Sequence, residues 1–104
     1  MEQIGFRMQL MQGQIEEYRR RHDEIWPELV SLLKEAGISD YSIFYHEDTN
    51  SLFATLRRTA NHQMDSLPAS TIMQRWWAHM ADIMDTADNN EPIVEELDRV
   101  FYMA

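Results

Sequence analysis

The sequence holds no cysteine and only three glycines and three prolines among 104 residues. Without cysteine there is no disulfide framework, thiolate zinc site, iron–sulfur cluster or cysteine nucleophile, and the cytoplasm is the expected compartment. Basic side chains are scarce as well: 9 Lys plus Arg stand against 18 Asp plus Glu, a formal charge of −9. Such a surface repels phosphate backbones and anionic lipid, so neither nucleic acid nor membrane is an expected partner, whereas neutral or cationic small molecules remain open. No apolar run approaches the ~20 residues of a membrane-spanning helix. The stretch from Met1 to Gly13 alternates apolar and polar residues and lacks the basic-then-apolar layout of a signal peptide. A glycine-rich phosphate loop, a dinucleotide fingerprint and a nucleophile elbow are all missing, which argues against nucleotide and acyl-enzyme chemistry.

What is present suits one core. The chain is 44% apolar, and a chain of this length buries about 65% of its unfolded surface, so residues 1–104 are read as a single domain. Ile4, Phe6, Met8 and Leu10 alternate with polar residues, predicting a first strand from Ile4 to Met11. Ile15, Tyr18, His22 and Ile25 recur at helical spacing. Pro27 should break that helix near Trp26 and restart it, carrying Leu29, Leu32 and Leu33 inward until Gly37. Strands are expected from Tyr41 to His46 and from Leu52 to Arg58, joined by a polar turn, followed by a helix from Ser70 to Met84 with Ser70 as N-cap. An acidic loop from Asp85 to Glu91 leads to a last alternating segment, Leu97 to Met103, read as a strand. The order βαββαβ is that of an α+β ferredoxin-like domain, whose two helical segments cover only one sheet face. Phe6 and Tyr41 fall on one face and Phe44, Phe53 and Tyr102 on the other, so an aromatic face is left bare unless a homodimer packs sheet on sheet.

Chemistry concentrates on a few positions. His22 sits one turn after Tyr18 on the apolar stripe of the first helix, where a neutral imidazole can exchange protons near pH 7 and the phenol can orient it or a bound hydroxyl. The same spacing equally suits a half-buried histidine bonded to a carbonyl beside a core tyrosine. Trp76 and Trp77 are adjacent on a helix and project about 100° apart, so one should leave the core and serve either as a platform for a sugar's C–H face or as an interface anchor. Tyr41 could aim a hydroxyl into a pocket at the sheet's end or be a satisfied core residue. His79, Asp82 and Asp85 have metal-ligand spacing but read as a solvated edge, and the run Arg19, Arg20, Arg21 is flanked by carboxylates as in an ion-paired helix surface. On these residues the expectation stops at a cofactor-free acid–base enzyme or a small-ligand module.

Four strings carry more: Glu17-Tyr18-Arg19-Arg20-Arg21-His22, Ile25-Trp26-Pro27-Glu28, Gln74-Arg75-Trp76-Trp77 and Val100-Phe101-Tyr102. In order, and in a chain of this length, they closely resemble the L-rhamnose mutarotases. The resemblance implies a dimeric α+β barrel, a homodimer paired through its sheets, with the proton donor on His22 and sugar contacts on Tyr18, Tyr41, Trp76 and Trp77. It implies interconversion of the α and β anomers of L-rhamnopyranose by ring opening and reclosure, with neither metal nor other cofactor needed. The loop from Asp85 to Glu91 departs from the family pattern at Ala87 and Glu91. Two other readings stand beside this one. The first is a cofactor-free or haem-handling monooxygenase, a chemistry the same fold hosts, and the second is a non-catalytic sugar-binding module in which His22 is structural.

Overall fold

The computed structural model describes residues 1–104. Its elements are β1 (Glu2–Gln9), α1 (Ile15–Asp23), α2 (Pro27–Glu35), β2 (Ile38–His46), β3 (Ser51–Arg58), a 3-10 segment (Met64–Ala69), α3 (Thr71–Met80), a second 3-10 turn (Ala81–Ile83) and β4 (Glu95–Leu97). The four strands form one antiparallel sheet in the order β2-β3-β1-β4. With the helices on one side, this is the ferredoxin-like α+β arrangement.

The helix breaks follow local chemistry. Trp26 is extended, with φ −66° and ψ 130°, because the following Pro27 disfavours the helical conformation, and Pro27 then occupies the first turn of α2. Gly37 ends that helix at φ +90°, and a Cβ there would also strike the Thr59 hydroxyl, so glycine is required twice over. In α1 acidic Glu16 and Glu17 open the helix while Arg20 and Arg21 close it, complementing its dipole.

One sheet face packs on the helices. Phe6 opposite Ala54 and Met8 opposite Leu52 bury there with Leu56, against Leu29, Met73, Trp76 and Met80 from the helical layer. In β2, Asp40 and Tyr41 together oppose Leu56, a bulge with Asp40 at φ +47°. This extra residue switches the alternation, so Ile38 on one side of it and Ile43 and Tyr45 on the other all point inward, as does Tyr41, whose ring meets Phe6 edge-on at 6.3 Å.

The opposite face is open. Phe44 and Phe53 pair across the strands with 63% and 37% of their surface exposed, and Leu97 lies over Gly5 beside them. Arg7 crosses this face, donating to Ser51 Oγ at 2.9 Å, to Gln9 and to Glu95.

Several expectations need correction. The last strand is Glu95–Leu97, paired with Gly5–Arg7, and not Leu97 to Met103. Beyond Leu97 the chain leaves the sheet, and Val100, Phe101, Tyr102 and Met103 stand exposed, so Tyr102 belongs to no sheet face. Their alternation meets no strand partner within this chain. The helix expected to reach Met84 ends at Met80 and tightens into the 3-10 turn. Ser70 does occupy its N-cap, but the side chain makes no capping bond; its carbonyl accepts from Gln74 N–H at 3.0 Å. β2 begins at Ile38, three residues before the expected start, with the bulge as its first event.

Candidate active site

A cavity of about 740 Å³ opens between the inner sheet face and the helices. That lies within the ~300–1,000 Å³ usual for small-molecule sites, and its walls are mostly apolar. Tyr18, His22, Tyr41, Trp76 and Trp77, singled out from the sequence on separate grounds, all border it.

Tyr18 and His22 lie one turn apart on α1, and their rings stack at 4.2 Å. The His22 Nδ1 lies 3.0 Å from the Tyr18 carbonyl oxygen. A carbonyl only accepts, so Nδ1 carries the hydrogen and the neutral ring keeps its lone pair on Nε2. The structural reading of His22 is realised at Nδ1, which satisfies a backbone carbonyl, while Nε2 makes no hydrogen bond within the protein. Burial lowers the pKa of this imidazole, against a smaller rise from its bond to the Tyr18 carbonyl and from Asp23. The resting residue is thus neutral at pH 7.

Trp76 is buried and turns its edge to His22 at 5.4 Å; Trp26 and His79 pack on it at 5.2 and 5.6 Å. Trp77 is only part-buried. The two tryptophans do diverge, yet both border the one cavity because it spans more than one face of α3. Tyr41 borders the cavity with 41% of its surface exposed, and burial pushes its phenol up to about 12. Burial raises Tyr18 well above the ordinary tyrosine range too, with a smaller contribution from repulsion by Tyr41. Both phenols are therefore hydrogen-bonding hydroxyls at neutral pH and not bases.

Periodicity missed three charged residues at this cavity: Arg19, Asp23 and Glu91. Arg19 and Asp23 are exposed, on the side of α1 that a helical wheel reads as surface. Glu91 arrives from a chain segment remote in sequence, on a small hairpin held by Ala87 N–H to Glu91 O at 2.8 Å and a Thr86–Pro92 bridge. The divergent loop thus reaches the site. The other spacing-based candidate does not form: no group of three or more His, Asp or Glu is placed to hold a metal, and Asp82 is engaged by Arg21.

Similarity to known proteins extends over the same residues. A family model described as L-rhamnose mutarotase matches residues 3–103. The L-rhamnose mutarotases of Jannaschia sp. (strain CCS1) and Sinorhizobium fredii (strain NBRC 101917 / NGR234) are 60% and 59% identical to this chain, covering 99% and 100% of it and the same shares of their own lengths. A crystal structure of an L-rhamnose mutarotase from Formosa agariphila matches with a TM-score of 0.93 at 43% identity, over all of both chains. None of these relatives is a monooxygenase or a binding module. In sequence and in fold alike, the chain belongs to the L-rhamnose mutarotase family.

Proposed function

We propose that this cavity interconverts the α and β anomers of L-rhamnopyranose, an isomerase reaction, with His22 as the proton-transferring residue. The observation that carries the reading is the divided imidazole: Nδ1 donates to the Tyr18 carbonyl, and the lone pair on Nε2 is available at the cavity. The anomeric hydroxyl oxygen and the ring oxygen are bonded to the same carbon, so one nitrogen can serve both. Nε2 takes the anomeric proton as C1 becomes an aldehyde, and the imidazolium gives a proton to the ring oxygen as the C1–O bond of the ring breaks. After rotation about C1–C2 the hydroxyl adds to the other aldehyde face, and the same transfers run in reverse. His22 is thus proton donor in the second half of each passage, having first been acceptor. Tyr18 and Tyr41 donate hydrogen bonds to sugar oxygens, while Trp76 and Trp77 hold its apolar face and 6-methyl group. No step requires a metal or another cofactor.

The bare sheet face and the exposed apolar tail support a homodimer packed through the sheets, which would bury Phe44, Phe53 and Leu97. The absence of cysteine and of any helix long and apolar enough to cross a membrane supports a cytoplasmic role, and the charge of −9 disfavours nucleic acid. The chain then acts as one domain on a neutral monosaccharide.

The test is NMR saturation transfer between the α and β anomeric protons of L-rhamnose, with the protein, with His22→Ala and with no protein. Transfer well above the protein-free rate with the unaltered chain alone is the expected result. Equal transfer in the His22→Ala sample would remove His22 from the reaction.

A further inference from the structure

The sequence placed Arg21 in an ion-paired helix surface, yet its guanidinium reaches well beyond its own helix. Its side chain is only 12% exposed, and four of its five N–H groups are bound. Nε donates to Glu17 on α1 at 2.7 Å. Nη1 donates to the His79 carbonyl oxygen and to Asp82 Oδ1, both at 2.7 Å, and Nη2 to Asp82 Oδ2 at 3.2 Å. The His79 carbonyl is among the last four of α3, which have no partner within the helix, so Arg21 on α1 caps the helix that carries Trp76. Its neighbour Arg20 pairs only with Glu17 and Glu24 on or beside its own helix.

α1 needs such a tie. It is nine residues long, too short to be stable alone, and Tyr18 is its one buried residue. Tyr18 holds one point of the helix; Arg21, three residues on, holds a second. Two points fix the helix's rotation and so the approach of His22 to Trp76.

We propose that Arg21, through its fork to Asp82 and the His79 carbonyl, is a positioning residue that sets the His22 imidazole against Trp76 at the cavity. This rests on His22 being the proton-transferring residue. The experiment uses the full chain with Arg21→Gln and, as the milder cut, Asp82→Asn, which leaves the bond to the His79 carbonyl in place. Anomer exchange is measured against L-rhamnose concentration to separate kcat from KM, and the His22 imidazole signals are recorded by nitrogen-15 NMR without sugar. A misplacement near 1 Å can cost about 100-fold in rate, so Arg21→Gln is expected to lower kcat by about ten- to a hundredfold. Asp82→Asn should lower it less, with KM within about twofold of the unaltered protein and with shifted His22 signals in both variants. Unchanged kcat and unmoved His22 signals in a folded Asp82→Asn or Arg21→Gln protein would overturn the proposal. Should the unaltered chain itself show no exchange, it is the mutarotase reading that fails, and the NMR signals alone then decide whether Arg21 positions His22.

Discussion

The His22 Nδ1 donates to the carbonyl oxygen of Tyr18, one helical turn earlier, at 3.0 Å. In the neutral ring that bond assigns the lone pair to Nε2, the form from which the proposed reaction would start. Burial holds the His22 pKa below its ordinary value of 6.5. A group that must be neutral loses activity as pH falls through its pKa, so kcat/KM is expected to be level at neutral pH and to decline only on the acid side of 6.5. A pH profile of anomer exchange, corrected for the acid-catalysed background reaction, checks this. A rate that climbs toward acid would mean that the protonated imidazole starts the reaction.

Tyr41 stays a phenol across the working range, since burial raises its pKa to about 12. The role proposed for it at the sugar is then one hydrogen bond, which is worth ~0.5–1.5 kcal/mol net. Tyr41→Phe should raise KM by about two- to tenfold with a small effect on kcat, as read from saturation curves. A loss confined to kcat would instead give the hydroxyl a part in proton transfer.

The sugar's methyl group offers a measure of the tryptophan wall. L-Lyxose differs from L-rhamnose by lacking that methyl, and burying one such group contributes ~0.8 kcal/mol. Exchange with L-lyxose should therefore show a KM about fourfold higher. Equal values for the two sugars would place the methyl outside the pocket formed by Trp76 and Trp77.

On the opposite sheet face, Phe53 lies between Arg7 and Phe44, and it does not border the cavity. A carboxylate buried there against a second copy would be costly. Phe53→Asp should convert a dimer into a monomer in sedimentation velocity at micromolar concentration, with the cavity residues untouched. An unaltered protein that sediments as a monomer would leave the apolar tail and sheet face to some other partner.

How far the sequence could be read follows from the range of each signal. Ile15, Tyr18, His22 and Ile25 repeat within one helix, and Pro27 acts on its immediate neighbour, so α1, the break at Trp26 and α2 were all accessible. The bulge at Asp40 and Tyr41 was not, because an added residue looks like any other until its partner Leu56 is known. Alternation from Leu97 to Met103 was real, but it reports only that apolar groups recur on both sides, not that a neighbouring strand lies within the same chain. At the site, Tyr18, His22, Tyr41, Trp76 and Trp77 were visible as residue types, and all five border one cavity. Glu91 and the Arg21–Asp82 tie span the chain, the latter across 61 positions. Local spacing carries no trace of such pairs.

The single added residue in β2 amounts to a reading-frame shift for side chains. Ahead of it even-numbered positions such as Ile38 turn toward the helices; after it the odd-numbered Ile43 and Tyr45 do. Removing one of the two residues opposite Leu56 would close the bulge and leave Ile43, Phe44 and Tyr45 opposite Ala54, Phe53 and Leu52, on the faces they now occupy. What the extra residue decides is the step from an even-numbered to an odd-numbered inward set, which is why Tyr41, Ile43 and Tyr45 share the inner face with Ile38.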